Sequence, residues 1–197
     1  MIRNDFVSNS SSSSFIIISK QGKDCTEEIV ENFKCNDPFD WNKEKCRFPN
    51  KDFKHQFGWE YENTRDFYGK LNFVAIQLLY VLQNDFPYLG KWNPICNLEF
   101  VKYYNMVKNV CNQKFGFDFR LRTECFRFEI FRYEDGKYHK SYSIDSEYYI
   151  DHQSSYQEGE CMEMFESEET LYNFLRFDES YIEGGNDNTP PEDMNDY

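Results

Sequence analysis

Asp151 and His152 are the adjacent residues in this 197-residue chain whose types come closest to catalytic equipment. A carboxylate beside an imidazole is the pairing that orients a histidine for general base work, and Ser154 and Ser155 place hydroxyls close by. Tyr148 and Ile150 suggest a strand leading into this stretch, and neighbours on a strand point to opposite faces, so the two side chains cannot simply form a dyad. The preferred reading is a turn in which the Asp, Gln and Ser side chains satisfy backbone groups. A catalytic or ligand-binding alternative gathers Asp151, His152, the serine run Ser10, Ser11, Ser12, Ser13 and Ser14, and the pair Asn186 and Asp187 around one pocket. Those islands all fall at the ends of expected strands, where loops often build sites.

The serine run has readings of its own. Serine hydroxyls compete for backbone partners, so the tract is expected to stay as loop or turn, a solvated leader over 8–14. Every hydroxyl is also a possible modification site, and successive backbone N–H groups could face an anion. Gly184 to Asn188 reads as a turn rich in oxygen ligands, without the spacing of an EF-hand. The seven cysteines contain no Cys-x-x-Cys and match no zinc pattern, and the chain has only three histidines. No metal and no cofactor is therefore expected. With no secretory apolar core at the N-terminus, the thiols are expected to be reduced and mostly buried, in a cytosol.

The elements that must position these residues divide the chain in two. Phe15 to Ile18 is expected to be a short buried strand, followed by a helix capped by Asp24 with Ile29, Val30 and Phe33 on its apolar side. From Cys35 to Gly58 no period holds, and Phe39, Trp41, Phe48, Phe53 and Phe57 are expected to tack an irregular stretch to the core. The clearest helix follows: Phe67, Leu71, Val74, Leu78 and Leu82 recur at helical steps, with Asn63 as the cap and Phe86-Pro87 as the stop. Phe73, Ile76 and Tyr80 occupy its other faces, so it is expected to be central and buried nearly all round, with Gln77 finding a partner in the core. Its apolar run, Phe73 to Leu82, is about half the roughly 20 residues needed to cross a bilayer, so no membrane span is expected. A third helix, capped by Asn97 and stopped by Gly116, ends the helical half.

Period-two alternation then takes over. Phe117, Phe119 and Leu121 predict one strand, and Phe126, Phe128 and Ile130 the next. Asp135-Gly136 signals a two-residue turn that sets Glu134 opposite Lys137. That register places His139, Ser141, Ser143 and Asp145 on the face of Phe126, Phe128 and Ile130, so the two strands disagree about which face is core. Either a bulge shifts one strand by a residue, which is preferred, or the polar set lines a cavity in which His139 and Asp145 are further catalytic candidates. Ser167 caps a last helix, and Ser180 to Ile182 form a final short strand. The expected fold is α+β: a mostly antiparallel sheet, made of the N-terminal strand and a meander over 117–150, packed on about four helices in a single domain over 1–183. Residues 184–197 form an acidic, flexible tail.

Charge narrows the functional classes. The net charge is −13, and residues 157–197 hold thirteen acidic side chains against the single basic Arg176. This asymmetry argues against nucleic acid as a ligand of that end, and no direct nucleic-acid binding is expected, since phosphate binding requires a positive patch. A basic partner surface fits it.

The opening block, Arg3-Asn4-Asp5-Phe6-Val7-Ser8-Asn9 with the serines and Phe15-Ile16-Ile17, resembles an N-terminal signature of small uncharacterised proteins of Gram-positive and gut bacteria and their tailed phages. Phe57-Gly58-Trp59-Glu60, Lys70-Leu71-Asn72-Phe73, Asp151-His152-Gln153-Ser154 and Gly185-Asn186-Asp187-Asn188 look like pieces of the same set. The resemblance implies an origin and carries no established activity. It makes the serine block a candidate portable tag, read by a processing, modifying or packaging system. Together these readings favour a non-catalytic interaction protein of the infected bacterial cytoplasm or the virion, binding a host or virion protein, over an enzyme. They do not fix an oligomeric state.

Overall fold

The computed structural model describes residues 12–33, 45–58, 62–89, 99–132, 138–150 and 161–186. In chain order these hold β1 (Ser12–Ile17), α1 (Thr26–Phe33), β2 (Arg47–Phe48), β3 (Gln56–Phe57), β4 (Glu62–Thr64), α2 (Phe67–Leu89), α3 (Glu99–Phe115), β5 (Arg120–Leu121), β6 (Phe126–Arg132), β7 (Tyr138–Ile144), β8 (Tyr149–Ile150), α4 (Glu168–Arg176) and β9 (Tyr181–Asn186). The fold is α+β, as the change of period predicts.

The helix α2 is the centre of the molecule. Leu71, Phe73, Val74, Ala75, Ile76, Leu78 and Leu79 are all at 0% exposure, which leaves no polar face over those turns. Burial of side chains of this size contributes on the order of 1.5–3 kcal/mol each, enough to fix the helix against α3, α4, β2 and β8. Asp66, and not Asn63, caps it: the Asp66 carboxylate accepts the Gly69 N–H at 2.8 Å, while Asn63 lies in β4. The helix also runs past Pro87 to Leu89. A proline in a last turn removes only one backbone bond there, which the preceding turns tolerate.

Aromatic rings join the helical and extended parts. Phe33 of α1 stacks on Phe117 with centroids 3.9 Å apart, and Phe53 stacks on Tyr68 at 4.1 Å. Phe48 and Phe57 are buried, as expected of the irregular stretch, whereas Phe39 and Trp41 lie outside the described residues. Phe117 and Phe119 are buried and Asp118 and Arg120 exposed, but only Arg120 and Leu121 form a ladder, parallel to β2.

The antiparallel pairing falls into two separate sheets. β6 and β7 form a hairpin in which Phe126 faces Ile144, Phe128 faces Tyr142 and Arg132 faces Tyr138. This is one residue away from the register set by a two-residue turn at Asp135-Gly136, the shift a bulge would produce; the turn itself lies outside the described residues. Because side chains alternate with period two, the shift moves His139, Ser141 and Ser143 to the face opposite Phe126, Phe128 and Ile130 and removes the conflict between the strands.

The second sheet has the order β1-β9-β4, so its middle strand comes from the far end of the chain. Ser12 pairs with Asn186, Ser14 with Gly184 and Ile17 with Tyr181, and Gly184 also pairs with Glu62 on the other side. Two expectations are corrected here. Ser12, Ser13 and Ser14 are strand residues and not loop, and Gly184, Gly185 and Asn186 are strand and not turn. The reason is mutual: strand pairing with β9 gives the serine backbones partners that local side-chain bonds would otherwise supply.

Candidate functional site

The polar residues brought together by the fold lie around the turn between α4 and β9. The Lys70 ammonium, on a side chain inside the core at 1% exposure, donates to the Phe177 carbonyl at 2.8 Å and the Ser180 carbonyl at 3.1 Å. The Ser180 hydroxyl accepts the Ser19 N–H at 2.9 Å and donates to the Asn173 carbonyl at 3.0 Å. Asp178 closes the other side, where its carboxylate accepts the Lys23 N–H at 2.8 Å. The end of β1, the start of α1, the end of α4 and the start of β9 thus meet over one buried cation.

Electrostatics follow from that burial. Desolvation pushes the Lys70 pKa down to about 8, with Cys25, Asp66 and Asp178 working against the shift. Burial raises the Cys25 thiol, partly offset by Lys23. Burial works upward on Asp24 as well, but hydrogen bonding from Thr26, with Arg176 adding to it, outweighs that and leaves the carboxyl below its ordinary value. Arg176 reaches Asp24 at 3.3 Å and lies over the rings of Tyr172 and Phe177.

An amine titrating near 8 is chemically competent as a nucleophile once neutral. Here its donors point at main-chain carbonyls inside the core, so its role is to hold the turn. The other buried reactive groups are placed similarly. Burial raises the Cys111 thiol well above its usual value and Cys125 to about 11, which keeps both protonated and poorly nucleophilic. Asn72, at 0% exposure, accepts the Asn50 N–H at 2.8 Å and donates to the carbonyls of Asn50 at 2.8 Å and Lys54 at 2.7 Å. Gln77 is likewise fully buried.

The expected site residues are distributed as follows. Ser12, Ser13 and Ser14 lie in register with Asn186, Gly185 and Gly184, so the structure brings part of the serine run and Asn186 to one corner of the sheet. Ser10, Ser11, Asp187, Asp151 and His152 lie outside the described residues. The strand before Asp151, β8, pairs with β3 and not with the β1-β9-β4 sheet. His139 sits in β7 opposite Phe131. The Asp145 carboxylate accepts the Glu147 N–H at 3.2 Å, and its carbonyl accepts the Tyr148 N–H at 2.8 Å, which makes it the anchor of the turn after β7. Among the described residues no cluster of His, Cys, Asp or Glu is arranged to hold a metal ion, and no helix is long and apolar enough to cross a membrane.

Lys70 and Asn72 were missed as buried polar groups by sequence reasoning. The signal was present: a helix apolar on all faces leaves no solvated side for a lysine or an asparagine in its first turns.

A second feature spans the approach to α4 and its first turn. Glu163, Glu166, Glu168 and Glu169 are all exposed, and Ser167 caps the helix by accepting the Thr170 N–H at 3.1 Å. Glu168 accepts from the Asn109 amide at 2.9 Å, whereas Glu163, Glu166 and Glu169 pair with no cation among the described residues. Against known protein families, curated proteins and solved structures, the chain has no match.

Proposed function

We propose that this chain is a small phage-type interaction protein that presents carboxylates to a basic surface on a host or virion protein, in the cytoplasm of an infected bacterium. The observation that carries the reading is the exposed group Glu163, Glu166, Glu168 and Glu169. The helix dipole accounts for acids in the first turn of α4, each favoured by about 0.3–1 kcal/mol, which covers Glu168 and Glu169. It does not account for Glu163 and Glu166, which lie before the helix and add like charge beside it.

Clustered carboxylates repel one another in the isolated protein, and a basic partner relieves that repulsion while speeding encounter. Spaced carboxylates on a folded surface also imitate a phosphate backbone, so a nucleic-acid-binding groove of a host nuclease or defence factor is the kind of surface they fit. The placement of Lys70, Asn72, Cys111 and Cys125 supports a binding role, since these chemically capable groups hold the core together.

The test compares three proteins: the wild-type chain, a chain ending at Asn186 so that β9 is kept, and that shorter chain with Glu163, Glu166, Glu168 and Glu169 changed to Gln. Each is used to retain the partner recovered by co-purification from infected cells, at low and high salt. Expected is retention that falls with salt in the wild type and falls stepwise across the variants. Equal retention by all three at both salt concentrations rejects the reading.

A further inference from the structure

We draw no further inference here: the strongest candidate, the buried Lys70 amine at the turn between α4 and β9, belongs to the site already described, where it is held by the Phe177 and Ser180 carbonyls at 2.8 and 3.1 Å.

Discussion

The ammonium of Lys70 donates to the carbonyl of Ser180 at 3.1 Å across 110 residues of sequence, tying the first turn of α2 to the start of β9. Burial holds the folded pKa at about 8 against an ordinary 10.5. Below about 8 the lysine is charged in both states and its desolvation opposes folding; above about 10.5 it is neutral in both and that cost is gone. Between those limits the unfolded chain binds more protons, so stability rises with pH by ~3 kcal/mol over the window. Thiols and tyrosines with raised pKa values act in the opposite sense at the upper end, so the quantity to measure is wild type minus Lys70→Met. That difference, from urea unfolding at several pH values, should move in favour of the wild type from pH 8 to 10.5, and a flat difference would show that the ammonium is solvated.

Asn72 holds the loop 50–54 with both halves of its amide, and the groups it serves are main-chain atoms, buried at Asn50 and partly buried at Lys54. Replacing it with Leu keeps the volume and strands one N–H and two carbonyls. Buried groups left without partners cost about 1–3 kcal/mol each, and partial relaxation of the loop reduces the sum. Asn72→Leu should therefore lose about 2–4 kcal/mol in urea unfolding. A loss under about 1 kcal/mol would mean that the loop detaches without harm to the core.

What the sequence made legible was local. The period-3.6 run from Phe67 to Leu82 identified the central helix, Ser167 was recognised as a cap, and alternation around Phe117 and Phe128 located the extended half. Long-range pairing was not legible. Nothing in Ser12 to Ser14 announces Gly184 to Asn186 as a partner, because a two-residue periodicity constrains which face is buried and leaves the neighbour strand unspecified. The serines were misread as loop for the same reason: their local preference was overruled by a ladder with residues about 170 positions away. Asp66 displaced Asn63 as the cap of α2 because β4 uses Asn63, and that too is a pairing the local sequence does not contain.

Two glycines with positive φ give a matched pair of substitutions. Gly22, at φ 106°, would place a Cβ 2.6 Å from the Asp178 carboxylate that accepts the Lys23 N–H, whereas Gly116, at φ 77°, has nothing within 4 Å. Both sites carry the backbone cost of a left-handed L-residue, about 1–2 kcal/mol. Gly22→Ala adds a clash with the carboxylate that braces the α4 to β9 turn. It should lower stability by clearly more than Gly116→Ala in thermal or urea unfolding, and equal losses would show that Asp178 moves aside at little cost.

Tyr148 is 3% exposed, and its hydroxyl makes no well-formed hydrogen bond among the described residues. The Cys125 thiol lies close enough to affect it electrostatically, and burial, with Cys125 adding to it, raises the phenol far above its usual value. A buried hydroxyl without a good acceptor costs free energy relative to a hydrogen, so its removal differs from the usual loss of a tyrosine contact. Tyr148→Phe should leave stability unchanged or raise it by up to about 1 kcal/mol, because the ring keeps its packing against His55. Burial raises Cys125, and the Tyr148 hydroxyl lowers it. Removing the hydroxyl removes the lowering influence, so the thiol of Tyr148→Phe should titrate higher than in the wild type and react more slowly with a thiol reagent at pH 8–9. A destabilisation above about 1 kcal/mol would show that the hydroxyl is satisfied by a group beyond the described residues, and faster thiol modification would show that the hydroxyl does not act on the Cys125 thiol.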